Sequence, residues 1–256
     1  MKNTVKCRVI LCGANGKMGR VVTGLAAERE DVEIVAGVDL NTAAQAGFPV
    51  FSSIEEFTGE ADVIIDFSHP AALDSLLAYA LRTKTPFVAA TTGYTEEQVA
   101  RIKAAAGQTA VFFTFNLSLG VNLLLDLARR AAGVLGGQFD IEIIEKHHNQ
   151  KIDAPSGTAF MLAEALSETS EQGYQFEYDR HSKRQKRRPN EIGIHAVRGG
   201  TIVGEHEVLF AGHDELLSLR HSALSKEVFA VGAINAACFL AGQPAGLYAM
   251  KDLLDQ

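Results

Sequence analysis

Cysteine is scarce in this sequence, and its pattern excludes a disulfide framework. Cys7, Cys12 and Cys238 are odd in number and form neither a CxxC pair nor a Cys/His string with zinc spacing. Such usage fits a reducing compartment, and each cysteine lies in an apolar run, where buried and inert thiols are expected. No stretch reaches the ~20 apolar residues that a membrane span requires. The opening residues MKNTVKCRVI lack the apolar core of an export signal, so a cytoplasmic protein is expected. Positive charge is also wanting: 24 Lys and Arg stand against 31 Asp and Glu, a net of −7, which argues against a general nucleic-acid binder. Internal repeats and low-complexity segments are absent. What remains is an ordinary globular balance, 47% apolar and 21% charged over 256 residues, enough for one large domain or two small ones.

Short apolar runs alternate with helical patterns through the first half. Residues 8–12, 32–38, 62–67, 87–90 and 111–115 read as strands, and residues 17–29 read as the first helix. Ser68 with Pro70 supplies one further helix start, and the capping box from Thr95 to Gln98 supplies another. Strands this apolar belong in a parallel sheet covered on both faces, so a doubly wound, Rossmann-like α/β domain is expected. The texture changes near residue 118. A long amphipathic helix spans 119–135, and residues 140–145 (DIEIIE) alternate strictly. Strands at 191–198, 201–210 and 215–221 follow with Gly-rich turns between them. These elements predict a second, α+β domain with an open, largely antiparallel sheet, followed by a closing helix at 226–240. The expected division is residues 1–118 with 222–256 for the first domain and 119–221 for the second. The basic run at 180–188 reads either as a solvated loop or as a lip that attracts phosphate or carboxylate.

Two strings carry chemistry. Gly13-Ala14-Asn15-Gly16-Lys17-Met18-Gly19 follows a strand and opens a helix, as a dinucleotide-binding turn does. Gly13 permits the tight turn, Gly16 lets backbone approach a pyrophosphate, and Gly19 lets helix and strand pack closely. The phosphates would then meet the open helix start. Taken alone, the string is also compatible with a structural turn. Asp39 ends the second strand, where a carboxylate bonds the adenosine ribose and repels a 2′-phosphate. No basic residue stands at Leu40 or Asn41, so NADH is expected over NADPH, with Lys17 as a partial offset. Later strand ends at 66–70 and 90–93 complete the expected crevice.

The second string is Glu145-Lys146-His147-His148-Asn149-Gln150-Lys151-Ile152-Asp153-Ala154-Pro155-Ser156-Gly157-Thr158. It places a proton donor (His147 or His148), a cation (Lys151) and an anion-binding helix start within a dozen residues. An isolated His pair at a strand end is otherwise simply solvated. Zinc ligation is disfavoured, since neighbouring strand residues point to opposite faces and no third ligand is spaced for it.

This string resembles the signature of the 4-hydroxy-tetrahydrodipicolinate reductase (dihydrodipicolinate reductase) family. Gly13 to Gly19, Asp66 to Pro70, Thr91-Thr92-Gly93, Asn116 to Asn122, Gly204-Glu205-His206 and Ala245 to Tyr248 all fall in that family's order. The resemblance implies a homotetramer built through the second domain and an enzyme of lysine and diaminopimelate biosynthesis. Such an enzyme reduces a cyclic dicarboxylate imine with NADH or NADPH. It implies His147 as proton donor and Lys151 as second donor or carboxylate anchor. His148, Ser156, Gly157 and Thr158 would bind substrate. The cofactor would touch Gly13, Ala14, Asn15, Gly16, Lys17, Met18, Asp39, Ala90, Thr91, Thr92, Thr114, Phe115, Asn116 and Leu117. Three departures stand out: Leu40 where some relatives carry Arg, Ala90 where some carry Gly, and Thr114-Phe115 in place of smaller residues. The alternatives are another nicotinamide-dependent amino-acid dehydrogenase, which has no need of the 153–158 string, and a non-enzymatic dinucleotide sensor. The Tyr-x-x-x-Lys pair of short-chain dehydrogenases is absent.

Overall fold

A computed structural model describes residues 6–43 and 47–255; residues 1–5, where no export signal is expected, and residue 256 lie outside the described residues. The chain forms two compact units, Met1–Leu119 with Glu227–Gln256, and Gly120–Lys226. The first unit is built from β1 (Cys7–Cys12), α1 (Lys17–Ala27), β2 (Val32–Val38), β3 (Val50–Phe51), β4 (Val63–Asp66), α2 (Leu73–Thr83), β5 (Phe87–Ala89), α3 (Glu96–Ala105) and β6 (Ala110–Phe113). The second comprises α4 (Leu119–Leu135), β7 (Asp140–His147), α5 (Gly157–Ser167), β8 (Gln175–Glu177), β9 (Glu191–Arg198), β10 (Gly204–Ala211) and β11 (Leu216–Ala223). The chain then returns to the first through α6 (Glu227–Leu240), β12 (Gly246–Tyr248) and α7 (Met250–Leu254). The return comes at Glu227 rather than at residue 222, because β11 stays paired to β10 through Ala223.

The first sheet runs β12-β6-β5-β4-β1-β2-β3, and every pairing in it is parallel. Alternation along each strand sends side chains to two separate cores. Val9, Leu11, Val63 and Ile65 pack with α1 and α6, while Ile10, Cys12 and Ile64 pack with α2 and α3. This is the doubly wound layering that the unbroken apolar strands predict. The edge strands β3 and β12 are too short to stand out in the sequence. Strand order reverses between β1 and β4, and that switch point is where open α/β sheets hold their ligands. The cysteines are less buried than their apolar surroundings suggest. Cys12 is enclosed, but Cys7 and Cys238 are partly exposed neighbours.

The second sheet runs β11-β10-β7-β9-β8. It is mixed rather than largely antiparallel: β7 pairs with β9 and β9 with β8 in parallel, while β10 is antiparallel to β7 and β11. Ile141, Ile143, Ile192, Ile194, Val208 and Phe210 form one face, covered by Leu124 and Ala128 of α4 and Leu162, Ala163 and Leu166 of α5. Neither helix covers the other face, which carries Glu142, Lys146, Glu205, Glu207 and Arg220. The basic run mostly stitches this sheet's edge. Arg180 pairs with Glu191, Lys183 with Glu177 and Arg188 with Gln175, and Arg187 holds Asp140 at 2.7 Å and Glu142 at 3.0 Å. Lys183, Arg184, Lys186 and Arg188 are exposed, and Arg180 and Arg187 are half-buried. Among the described residues, no helix is long and apolar enough to cross a membrane.

Candidate active site

The glycine string lies at the switch point of the first sheet. Gly13 has φ +76°, and a Cβ there would stand 2.4 Å from the Phe67 carbonyl oxygen after β4. Gly19 lies in the first turn of α1, where a Cβ would meet the Gly13 carbonyl oxygen at 2.1 Å. Both glycines therefore serve the close approaches that the motif requires. Gly16 is exposed and is the N-cap of α1, with no side-chain cap and no acidic residue in the first turn. An uncapped helix start with its amides open suits a pyrophosphate, so the loop fits a dinucleotide. Asp39 receives the Asn15 amide on one carboxylate oxygen and the Asn41 amide on the other, both at 2.9 Å. Each oxygen keeps a second lone pair for a sugar hydroxyl. Leu40 is 98% exposed, and Lys17 is exposed as well.

The neighbouring strand ends are tied together. Asp66, fully buried at the end of β4, accepts from the Ser68 amide at 2.9 Å and from the Tyr94 hydroxyl at 2.7 Å. Burial and that carboxylate push the Tyr94 phenol upward, so it stays a donor. Thr91 donates its hydroxyl to the Asp66 carbonyl, while Thr92 is exposed and Ala90 half-buried beside it. After β6, Thr114 and Asn116 bond one another, and Phe115 is 82% exposed. Ala14 and Leu117 sit in the core, so only their main chains are candidates for cofactor contact, and Met18 packs partly against the same core.

The second string builds a site where β7 outruns its helical cover. The alternation that buries Ile141 and Ile143 continues through Glu145 and His147 on the same face. Glu145 is 0% exposed and His147 is 8% exposed. One Glu145 oxygen accepts from His147 Nδ1–H at 2.6 Å and from Arg198 at 2.7 Å. The other accepts from Arg198 at 2.7 Å and from the Ser156 amide at 3.0 Å. Burial alone raises the Glu145 carboxyl, but these hydrogen bonds outweigh it, and the group lies below its ordinary range as a carboxylate. Burial also lowers the His147 imidazole; Glu145 opposes the drop, while Lys151 and Arg198 add to it. Unliganded His147 is therefore neutral near pH 7.

Ser156 is 1% exposed and caps α5, its hydroxyl accepting from the Ala159 amide at 3.2 Å and meeting His206 Nε2 at 2.9 Å. The helix thus starts at Gly157, and Ser156 acts from behind while Gly157 is exposed and Thr158 half-buried in the first turn. Lys151 pairs with Asp153 at 2.8 Å, and its side chain is 21% exposed. His148 lies just beyond β7, half-buried. The His206 ring packs edge-on to His147 at 5.2 Å, and burial lowers its imidazole to about 4. Gly204, opposite His147 on β10, keeps that position open: a Cβ there would sit 3.1 Å from His147 Nε2.

The structure gathers His147, Lys151, Ser156, Gly157 and Thr158 at one end of the second sheet. Three partners have no role assigned from the sequence: Glu145, Arg198 and His206. Glu145 had a signal, because an acidic residue in phase with Ile141 and Ile143 must be buried. Arg198 and His206 arrive from β9 and β10, and only sheet register joins them to β7. Among the described residues, no cluster of three or more His, Cys, Asp or Glu is arranged to hold a metal ion.

Known proteins match along nearly the whole chain. The sequence profile described as "Dihydrodipicolinate reductase, N-terminus" matches residues 7–117, and that described as "Dihydrodipicolinate reductase, C-terminus" matches residues 120–254. The 4-hydroxy-tetrahydrodipicolinate reductase of Caldanaerobacter subterraneus subsp. tengcongensis is 52% identical over 247 residues, covering 96% of this chain and 98% of that one. The same-named protein of Clostridium tetani is 46% identical over 250 residues, 97% of each chain. Among solved structures, the dipicolinate-bound dihydrodipicolinate reductase from Paenisporosarcina sp. TG-14 superposes with a TM-score of 0.80 at 28% identity, covering 96% and 98% of the two chains. Profiles spanning both units and relatives this similar leave one conclusion: the chain belongs to the dihydrodipicolinate reductase family.

Proposed function

We propose that the protein reduces 4-hydroxy-tetrahydrodipicolinate to tetrahydrodipicolinate, with loss of water, using NADH in preference to NADPH. The observation that carries this reading is the convergence of His147, Lys151 and the α5 helix start at one sheet end. A flat dianion needs two anchors and a proton donor, and that end provides all three. Bound cofactor supplies a hydride, which goes to C4 of the substrate after its hydroxyl leaves as water. His147 then delivers a proton to the adjacent carbon, a contribution of typically ~10²–10⁴-fold. A dianion beside His147 favours the imidazolium, which reverses the lowering caused by burial and neighbouring cations. Lys151 exchanges Asp153 for a substrate carboxylate, and Gly157 and Thr158 bind through the start of α5.

The Asp39 carboxylate, oriented by two loop amides, favours a ribose hydroxyl over a phosphate. Gly13 to Met18, with the Ala90–Thr92 and Thr114–Leu117 main chains, hold the rest of the dinucleotide. The uncovered face of the second sheet, with its mixed charges, suits assembly of four copies, and the enzyme works in the cytoplasm. The test is loss of absorbance at the reduced-nicotinamide band, with substrate made in situ from pyruvate and aspartate semialdehyde by a coupling synthase. Turnover that depends on both the synthase and this protein supports the reading; cofactor binding without turnover would leave only a dinucleotide sensor.

A further inference from the structure

Glu145 is the most enclosed charge in the second unit, and the chemistry above does not use it. Its two oxygens accept four hydrogen bonds, from His147 Nδ1–H, twice from Arg198, and from the Ser156 amide. One carboxylate therefore touches the proposed proton donor and the residue that caps the proposed substrate-binding helix. An ionised carboxylate has no hydrogen to give, so the hydrogen shared with His147 sits on Nδ1. The second nitrogen, Nε2, is then the one that exchanges protons, and it lies beside the side-chain-free Gly204.

We propose that Glu145 is a positioning residue for the reaction: it holds His147 in the tautomer whose Nε2 is free to take up and deliver the proton, and it pins the start of α5 through Ser156. The inference rests on the functional reading given above. When the dianionic substrate binds, Nε2 takes up a proton from solvent and the imidazolium is held against Glu145. Once hydride has been added at C4, the Nε2–H bond breaks. Its proton bonds to the adjacent carbon, the new C–H pair comes from the substrate, and His147 returns to its neutral Nδ1–H form. Arg198 cancels the Glu145 charge and donates also to the Asp153 carbonyl at 2.6 Å, which ties the Lys151 loop to the same group.

The charged and titratable groups around His147 are Glu145 on its own strand, Arg198 on β9, His206 on β10, and Lys151 and Asp153 in the following loop. His221 on β11 faces His206. Glu145 is the strongest influence that favours the imidazolium, whereas burial, Lys151 and Arg198 oppose it. A simple strand-to-strand tie between Glu145 and Arg198 would give the same geometry. It would not set the tautomer or the titration of His147.

Glu145→Gln separates the two. The amide oxygen keeps one Arg198 bond and the Ser156 amide, while the amide nitrogen takes the place of the oxygen shared by His147 and the other Arg198 nitrogen, faces His147 and forces the hydrogen onto Nε2. We expect kcat to fall by ~10²-fold or more with KM changed little. We also expect the basic limb of the kcat–pH profile to move to lower pH, because the imidazolium has lost its counter-charge. Nitrogen-15 NMR should report Nδ1–H for His147 in the wild-type protein, the signal being assigned by its loss in His147→Gln, and Nε2–H in Glu145→Gln. A folded, NADH-binding Glu145→Gln with an unmoved basic limb and an unchanged tautomer overturns the proposal. Wild-type protein that carries the hydrogen on Nε2 overturns it even if the variant fails to fold. The functional reading fails differently: His147→Gln would then turn over like wild type, whereas loss in His147→Gln alone, with Glu145→Gln fully active, removes only the positioning role.

Discussion

Replacing Gly13 by alanine tests the construction of the dinucleotide loop, and the cost follows from two contacts. The residue holds φ +76°, which for an L side chain costs roughly 1–2 kcal/mol. Its new Cβ would stand 2.4 Å from the Phe67 carbonyl oxygen, and moving backbone to relieve such overpacking costs roughly 1–3 kcal/mol. The sum, about 2–5 kcal/mol, is a large share of a typical stability of roughly 5–15 kcal/mol. At about 2–4 °C per kcal/mol for a chain of this size, the melting temperature should fall by roughly 4–20 °C. Gly24→Ala is the matched control. It lies on the exposed side of the same helix, with nothing within 4 Å of its would-be Cβ. There alanine should stabilise by about 0.5–1 kcal/mol through helix propensity. The assay is a calorimetric melt with and without NADH, following the transition that the cofactor raises. A Gly13→Ala protein that melts and binds NADH like wild type, or a Gly24→Ala protein that melts well below it, would refute the reasoning.

Asp39→Ala should narrow the preference for NADH; an unchanged NADH/NADPH ratio of kcat/KM would show that Asp39 does not read the ribose. Lys151→Ala should lower kcat and raise KM together, since it removes a carboxylate anchor. Its stability loss should stay under about 1 kcal/mol because Asp153, its partner, is 57% exposed; wild-type values of both kinetic parameters would reject the anchor. Stability should fall as pH drops from 6.5 to 4. His206 titrates at about 4 in the folded protein and at its ordinary 6.5 once unfolded, so across that window the unfolded chain binds more protons. That difference corresponds to roughly 3 kcal/mol, with His147 and His221 shifted in the same direction. Urea midpoints measured between pH 7 and 4 check this, and His206→Gln should flatten the slope.

Much of the first unit is legible in the sequence because its signals are local. The β4 string Val63-Ile64-Ile65-Asp66 is wholly buried, Gly13 and Gly19 mark close approaches, and Thr95 with Gln98 announces α3. Each depends on neighbours a few residues away. The β3 and β12 edges escape notice because two or three residues carry no period. In the second unit the direction of β9 against β7 is a choice of pairing, which alternation along one strand cannot express, and so the mixed sheet reads as antiparallel. The basic run is misleading for the same reason. Charge counts show six cations, but not that Arg187 lies against Asp140 and Glu142, 47 and 45 residues earlier. His147, Lys151 and Ser156 are close in sequence and could be grouped from it, whereas Arg198 and His206 join them only through sheet register.

The second sheet also explains why one strand can be both core and chemistry. Along β7 the covered face runs Ile141, Ile143, Glu145, His147, and the α4 and α5 side chains that cover the first two belong to the apolar core. Burial persists past the point where apolar partners give out, so Glu145 is enclosed without being surrounded by hydrocarbon. An enclosed carboxylate costs several kcal/mol in lost hydration, and the four hydrogen bonds to it must offset that cost. An apolar residue at 145 would avoid the penalty, yet it would leave Arg198 uncompensated, a loss of about 3–5 kcal/mol for a broken buried pair. It would also leave His147 free to turn. The carboxylate and guanidinium are therefore stable only as a set, and the set's geometric consequence is an imidazole aimed along the strand end toward Gly204, with its distal nitrogen open. A rigid sheet supplies that aim more reliably than a loop could, because Arg198, His206 and Gly204 are each fixed by ladder pairing on strands beside β7.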